Sequence, residues 1–227
     1  MSATLFSTFE RWWLARGEWV EEANQRRGGE SGVQRLSDNG RPLYCKRQSG
    51  HLHRSLCHPL GRPTVLREAE SIRAFRALGL GVPELVYCGA RKQGDGSWQA
   101  LLVTEELPGF IALDRWYAEQ ATDVSPGARA MLLDRLGQAL ALMHGAGWQH
   151  GCLYAKHVFV RVEEGAFGPV VELALIDLEK CRRRWLHAFA ARHDMAQFAR
   201  HRGGMPLADW NRLQAAHSAA LAARSFF

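Results

Sequence analysis

The chain has no uninterrupted apolar stretch of the length a membrane span or a secretory leader requires. Its start meets charge at Glu10, Arg11 and Arg16, so a cytoplasmic protein is expected. Cysteine is sparse and unpaired in pattern. Cys45, Cys57, Cys88, Cys152 and Cys181 are odd in number and form no C-x-x-C pair, which argues against a disulfide framework and a structural zinc site. No internal repeat, low-complexity tract or disordered bias is present, and 47% of the residues are hydrophobic, enough for one large core or two lobes. Nor does any segment interleave a basic stripe with stacking aromatics, so nucleic acid is not an expected partner. What is present is basic charge. Lys plus Arg total 29 against 23 Asp plus Glu, a net charge of +6 that favours anionic partners, among them nucleotides, phosphorylated glycolipid and the inner membrane face.

Asn39-Gly40 is a two-residue hairpin signal, because both central positions of that turn need positive φ, and it should join strands over 32–37 and 42–48. A further strand over 19–24 precedes the glycine-containing segment 26–31, giving three antiparallel strands with Lys46 near the end of the third. A polar, His-rich connection follows, and then a helix with Thr64 as its cap and Val65, Ala69, Ile72 and Phe75 at helical spacing, stopped by Gly79 and Gly81. Strands from Pro83 through Tyr87 and over 98–104 flank the turn Gly94-Asp95-Gly96, and Pro108-Gly109 is the expected hinge. The second half reads as helices over 113–119, from Ser125-Pro126 onward, over 188–201 and over 207–224. Between them a hairpin is expected, with strands over 158–162 and 170–176, a turn over 163–169, and Asp177 at its end.

The order of parts carries more than any single part. A glycine loop (Gly28, Gly29, Gly32), a strand lysine (Lys46), a helix glutamate (Glu68, with Glu70 as the competing choice), a hinge, a histidine-containing loop and an aspartate closing an apolar strand follow the sequence of protein-kinase phosphoryl transfer. In that scheme the lysine binds nucleotide phosphates, the glutamate orients it and acidic groups hold metal. The glycines alone equally suit a hairpin turn. Asp177 ends a run of apolar residues, where an acid is costly unless it meets a cation or donors, or caps the next turn.

Residues 149–157, Gln149-His150-Gly151-Cys152-Leu153-Tyr154-Ala155-Lys156-His157, then Val158-Phe159-Val160, with Ile176-Asp177-Leu178-Glu179-Lys180 downstream, resemble the catalytic and metal-binding segments of the lipopolysaccharide kinase (Kdo/heptose kinase) family. Trp12-Trp13, Glu18-Trp19-Val20-Glu21-Glu22, Ser31-Gly32-Val33-Gln34, Gly61-Arg62-Pro63-Thr64 and Leu102-Val103-Thr104-Glu105 resemble its InaA branch. The resemblance implies an α+β, bilobal protein-kinase-like fold: an N-terminal lobe over 1–106 with an antiparallel sheet and one main helix, and a mostly helical C-terminal lobe over 107–227. It also implies ATP and Mg2+ or Mn2+ as cofactors, and a heptose or Kdo sugar of the lipopolysaccharide inner core, or a similar glycoconjugate, as acceptor. Lys46, Glu68, Glu105, Leu107 and the glycines would contact nucleotide; Asp177 and His157 would hold metal.

Laid on the kinase loop H-R-D-x-x-x-x-N, Cys152 stands at the aspartate that accepts the hydroxyl proton and His157 at the asparagine. A thiol of unperturbed pKa about 8.5 is mostly protonated near neutral pH and accepts protons poorly unless a cation such as Lys156 lowers it. Arg182, Arg183 and Arg184 would either neutralise phosphates on the acceptor or form a solvated basic run, and Asp194 would anchor the loop or lie on a helix surface. Two readings therefore stand side by side: a kinase weakened at its base, with Glu179 as a substitute acid, and a pseudokinase that senses nucleotide or scaffolds a partner in envelope stress.

Overall fold

The computed structural model describes residues 8–26, 29–55 and 58–224, so Gly28 and Cys57 lie outside the described residues. The chain divides into two compact units, one drawn from Met1–Glu70 and Pro83–Leu107 and the other from Ser71–Val82 and Pro108–Phe227.

Unit 1 contains α1 (Thr8–Leu14), β1 (Glu18–Arg26), β2 (Gly29–Asp38), β3 (Arg41–Ser49), β4 (Leu52–Ser55), β5 (His58–Pro63), the first turns of α2 (Thr64–Ala77), β6 (Leu85–Lys92) and β7 (Trp98–Glu105). Five strands form one antiparallel sheet in the order β1-β2-β3-β7-β6. Asn39 (φ 52) and Gly40 (φ 80) both take the left-handed conformation, which fixes the β2–β3 register with Leu36 opposite Leu43 and Val33 opposite Lys46. One face of the sheet packs Leu36, Leu43, Cys45, Leu101 and Val103 against Phe9 and Trp12 of α1. Because side chains alternate along a strand, Lys46 leaves the opposite face from Cys45.

Three expectations are corrected here. The His-rich connection after Ser49 is a hairpin, β4 with β5, in which Leu52 faces Pro63. β2 already begins at Gly29, so Gly29 and Gly32 lie in strand rather than loop. A Cβ on Gly32 would sit 2.7 Å from the Trp19 ring and 2.9 Å from Ala23 Cα, so close packing of β1 over β2 accounts for glycine there. Thr64 is the first residue of α2 rather than its cap, and the helix start is satisfied by Gln48 of β3, whose Oε1 accepts from Thr64 Oγ1 (3.0 Å) and from the Val65 N–H (3.2 Å). That amide ties the strand of Lys46 to the helix of Glu68.

Unit 2 holds the rest of α2, β8 (Ile111–Ala112), α3 (Leu113–Glu119), α4 (Pro126–Gly145), β9 (Trp148–Gln149), β10 (Val158–Gly165), β11 (Gly168–Leu175), β12 (Arg182–Arg183), α5 (His187–Arg200) and α6 (Leu207–Arg224). Ser125 caps α4, its Oγ accepting from the Ala128 N–H at 3.1 Å, with Pro126 at the first helical position. Leu132, Leu136, Leu140 and Met143 form the fully buried stripe of α4. At Gly137 a Cβ would come within 2.7 Å of Ala216, so the glycine allows α4 and α6 to meet backbone to backbone. β10 and β11 pair from Val158–Leu175 to Gly165–Gly168, which shortens the expected seven-residue turn to Ala166-Phe167. Among the described residues no helix is long and apolar enough to cross a membrane.

Candidate functional site

In unit 1 the side chains of Lys46 and Glu68 meet with Nζ and Oε2 2.9 Å apart, both largely buried. Glu70, one helical position pair further on, instead reaches Arg62 at 2.5 Å near the surface. The choice between the two glutamates follows from helix geometry: Glu68 shares the inward side of α2 with Val65, Ala69 and Ile72, while Glu70 is turned out. Glu105 gives its N–H to Glu84 O at 2.9 Å and pairs its carboxylate with Arg41. Leu107, half-buried, closes the unit.

In unit 2 the segment between β9 and β10 is held chiefly by α5. The Asp194 carboxylate accepts from the His150 N–H at 2.6 Å and the Gly151 N–H at 3.0 Å, Gln197 Oε1 accepts from the Leu153 N–H at 2.9 Å, and His201 O from the Ala155 N–H at 3.0 Å. Gly151 takes φ 76, and a Cβ there would approach Lys180 O to 2.9 Å, so the turn admits glycine for both conformation and space. Asp194 is fully buried. Burial alone would raise its pKa, yet the hydrogen bond from His144 and the two loop N–H groups hold it below the usual carboxylate range.

His157 ends a short 3-10 turn, Ala155–His157, and its Nδ1 lies 2.7 Å from Cys152 O. A carbonyl only accepts, so Nδ1 carries the proton. Burial lowers the His157 pKa, against the opposing pull of Asp177, which leaves a neutral ring with its lone pair on Nε2. That lone pair is 3.5 Å from Asp177 Oδ2. Asp177 itself takes a left-handed conformation, φ 56 and ψ 53, at the entry to the 3-10 turn Leu178–Lys180, without a side-chain cap hydrogen bond. Turn capping is therefore not what its carboxylate does. Donor atoms of Cys152, His157 and Asp177 all lie within 4.8 Å of one another.

Cys152 is buried, and burial together with the Asp177 carboxylate pushes its thiol up. The cation beside it is Lys180, with Nζ 3.7 Å from Sγ, whereas Lys156 lies over the Tyr154 ring. Lys180 replaces Lys156 in the expectation, and its pull does not reverse the upward shift. As a protonated thiol Cys152 offers no hard donor, so Asp177 and His157 are the pair that fits a divalent cation, with the remaining positions left to water and phosphate oxygens.

The three arginines are exposed. Arg182 and Arg184 both donate to Gln149 Oε1, at 3.3 and 2.6 Å, while Arg183 bonds Ala146 O and lies over the Trp148 ring. Sequence reasoning missed two groups behind the loop. His144 Nε2 lies 3.3 Å from Asp194 Oδ2, and His144 Nδ1 lies 2.9 Å from His217 Nε2, all three residues buried. With Asp194 ionised, His144 Nε2–H donates to Asp194, and His144 Nδ1 shares a hydrogen bond with His217 Nε2. The available signal was a histidine on each apolar stripe, His144 four residues after Leu140 and His217 four after Leu213.

A family model described as the lipopolysaccharide kinase (Kdo/WaaP) family matches residues 10–217. Protein InaA of Escherichia coli (strain K12) is 40% identical over 211 residues, covering 92% of this chain and 95% of that protein. The lipopolysaccharide core heptose(I) kinase WaaP of Escherichia coli is 26% identical over 127 residues, covering 52% of this chain and 48% of that protein. Among solved structures, WaaP in complex with acyl carrier protein superposes with a TM-score of 0.70 at 19% identity, over 97% of this chain and 90% of that one. The Rio2 kinase–ADP/Mg2+–phosphoaspartate complex from Chaetomium thermophilum gives a TM-score of 0.51 at 14% identity, over 92% of this chain and 70% of that one. Both structural likenesses show the fold, which is kinase-like and α+β.

Proposed function

The chain belongs to the lipopolysaccharide kinase (Kdo/WaaP) family as an InaA-like member, and from that premise we propose that it is an ATP- and Mg2+-dependent kinase acting on a heptose or Kdo sugar of the lipopolysaccharide inner core. The observation that carries the reading is the Lys46–Glu68 pair at 2.9 Å, because a largely buried ion pair costs desolvation that packing alone does not require. Bound Mg-ATP supplies the γ-phosphoryl group and neutralises charge on it. In this reading residues 1–106 handle the nucleotide and residues 107–227 handle metal and acceptor.

Lys46 binds phosphate oxygens, and Glu68 holds its ammonium in place. Glu105 and Leu107 contact the base through their backbone. Asp177 supplies the anionic ligand to the cation, and His157 supplies Nε2, its tautomer set by the Cys152 carbonyl. Asp194 holds the His150–Gly151 peptide against the pull of substrate binding. The acceptor hydroxyl loses its proton to solvent or to Glu179 rather than to Cys152, whose thiol is raised. General-base assistance is worth about 10²–10⁴-fold, so the enzyme is slow rather than inert. Arg182, Arg183 and Arg184 receive the anionic groups of the acceptor.

The test is transfer of label from γ-labelled ATP to dephosphorylated lipopolysaccharide in the presence of Mg2+. Incorporation into glycolipid that is absent in Asp177→Asn is expected. Nucleotide binding without any incorporation would overturn the transferase reading in favour of a pseudokinase.

A further inference from the structure

Trp185, Leu186 and Phe189 are 99%, 63% and 62% exposed, although each is a residue that folding ordinarily covers. They do not belong to a loose loop. β12 pairs with β9, the Arg184 N–H donates to Gly147 O at 2.7 Å, and the Phe189 N–H donates to Leu186 O at 3.1 Å, so the backbone from Arg182 into α5 is pinned while these side chains stand off it. Leu186 and Phe189 are one helical turn apart, and the exposed side of α5 continues through Arg192.

The charge around them has one sign. Between residues 180 and 193 the charged residues are Lys180, Arg182, Arg183, Arg184 and Arg192, and no Asp or Glu interrupts them. The acids that flank this stretch are Glu179, half-buried beside Lys180, and Asp194, which is fully buried. Exposed tryptophan, leucine and phenylalanine flanked along the chain by arginine is the composition that suits the boundary between acyl chains and anionic headgroups.

We propose that Trp185, Leu186 and Phe189, with Arg183 and Arg192 beside them, form a docking surface for a bilayer that carries anionic phospholipid. The apolar side chains enter the headgroup boundary and the guanidinium groups stay at phosphate level. Since the segment starts shortly after Asp177 in the same unit, docking keeps the proposed metal-holding pair near headgroups, where a lipid-linked acceptor presents its sugars. The docking is a binding property and holds whether or not phosphate is transferred.

Flotation of the full chain with vesicles of phosphatidylcholine, with and without phosphatidylglycerol, tests the proposal. Wild type is expected to float with the anionic vesicles only and to be released by salt. Trp185→Ser/Phe189→Ser should weaken flotation more than about tenfold at an unchanged thermal midpoint, since exposed side chains support no packing. Arg192→Gln should weaken it roughly fivefold. The proposal is overturned by absence of flotation with anionic vesicles, by equal flotation with neutral ones, or by a folded double variant that floats like wild type. Retention on soluble polyglutamate without vesicle binding would also overturn it, assigning the surface to an acidic protein.

Discussion

Lys46 and Glu68 in unit 1 answer each other as donor and acceptor, whereas in unit 2 His157 directs a lone pair toward the Asp177 carboxylate, two acceptors facing one another at 3.5 Å. The first arrangement is complete as a charge pair. The second suits a cation. A third position, Cys152, belongs to neither pattern, because the groups around it raise its pKa where a proton acceptor needs a lower one. In the proposed reading Lys46 and Glu68 would serve phosphate and His157 and Asp177 a metal, and Cys152 is the position that departs from the kinase pattern.

The largest effect that sharpens this contrast is expected from Cys152→Asp. With Lys180 at hand as a partner, a carboxylate there should raise transfer to lipopolysaccharide by about 10²–10⁴-fold, while Cys152→Ala should leave it near the wild-type rate. A large loss in Cys152→Ala would instead give the thiol a direct role.

Next in size is the cost of breaking the pair in unit 1. Glu68→Ala removes the carboxylate 2.9 Å from a largely buried ammonium and should cost about 3 to 5 kcal/mol in urea unfolding, whereas a Lys46→Met/Glu68→Leu double variant should be close to neutral. An equal loss in both would mean that the pair contributes by packing rather than by charge balance.

Acid should act on unit 2. His150 and His217 are lowered by burial from 6.5 to about 4, the latter also by His144. Between those values the unfolded chain binds more protons than the folded one, so stability is full above about pH 6.5 and is lost as pH falls toward 4. For the fully buried His150 a shift of that size corresponds to about 3 kcal/mol. Urea midpoints across this range should fall steadily, and His217→Gln should flatten the slope. A midpoint that does not change with pH would contradict the buried neutral state.

The smallest effect is expected at Glu70. Its pair with Arg62 is near the surface, so Glu70→Ala should cost no more than about 1 kcal/mol and should leave nucleotide binding intact.

Much of this was legible in residues whose local chemistry admits one answer. Asn39-Gly40 fixed a hairpin, Ser125-Pro126 fixed a helix start, and the apolar spacing of α2 put Glu68 beside its buried stripe. The β4–β5 hairpin was hidden because 52–63 mixes histidine, proline and arginine without alternation, and its pairing is set by partner rather than by pattern. β8, β9 and β12 are two-residue pairings that no periodicity can announce. The loop order singled out Cys152, His157 and Asp177, whose donor atoms lie within 4.8 Å of one another. It could not place Lys180, which reaches Cys152 only because Gly151 lets the turn after Asp177 come close.

The most direct test is the thermal midpoint with and without Mg-ATP for wild type, Lys46→Ala and Asp177→Asn. At about 100 times its dissociation constant a ligand stabilises by about 2.7 kcal/mol, a rise of about 5 to 10 °C for a chain of this length. The account predicts that rise in wild type, its loss on chelation of the metal, and its absence in both variants. An unchanged midpoint in wild type at millimolar nucleotide, or an equal rise in all three proteins, would contradict it.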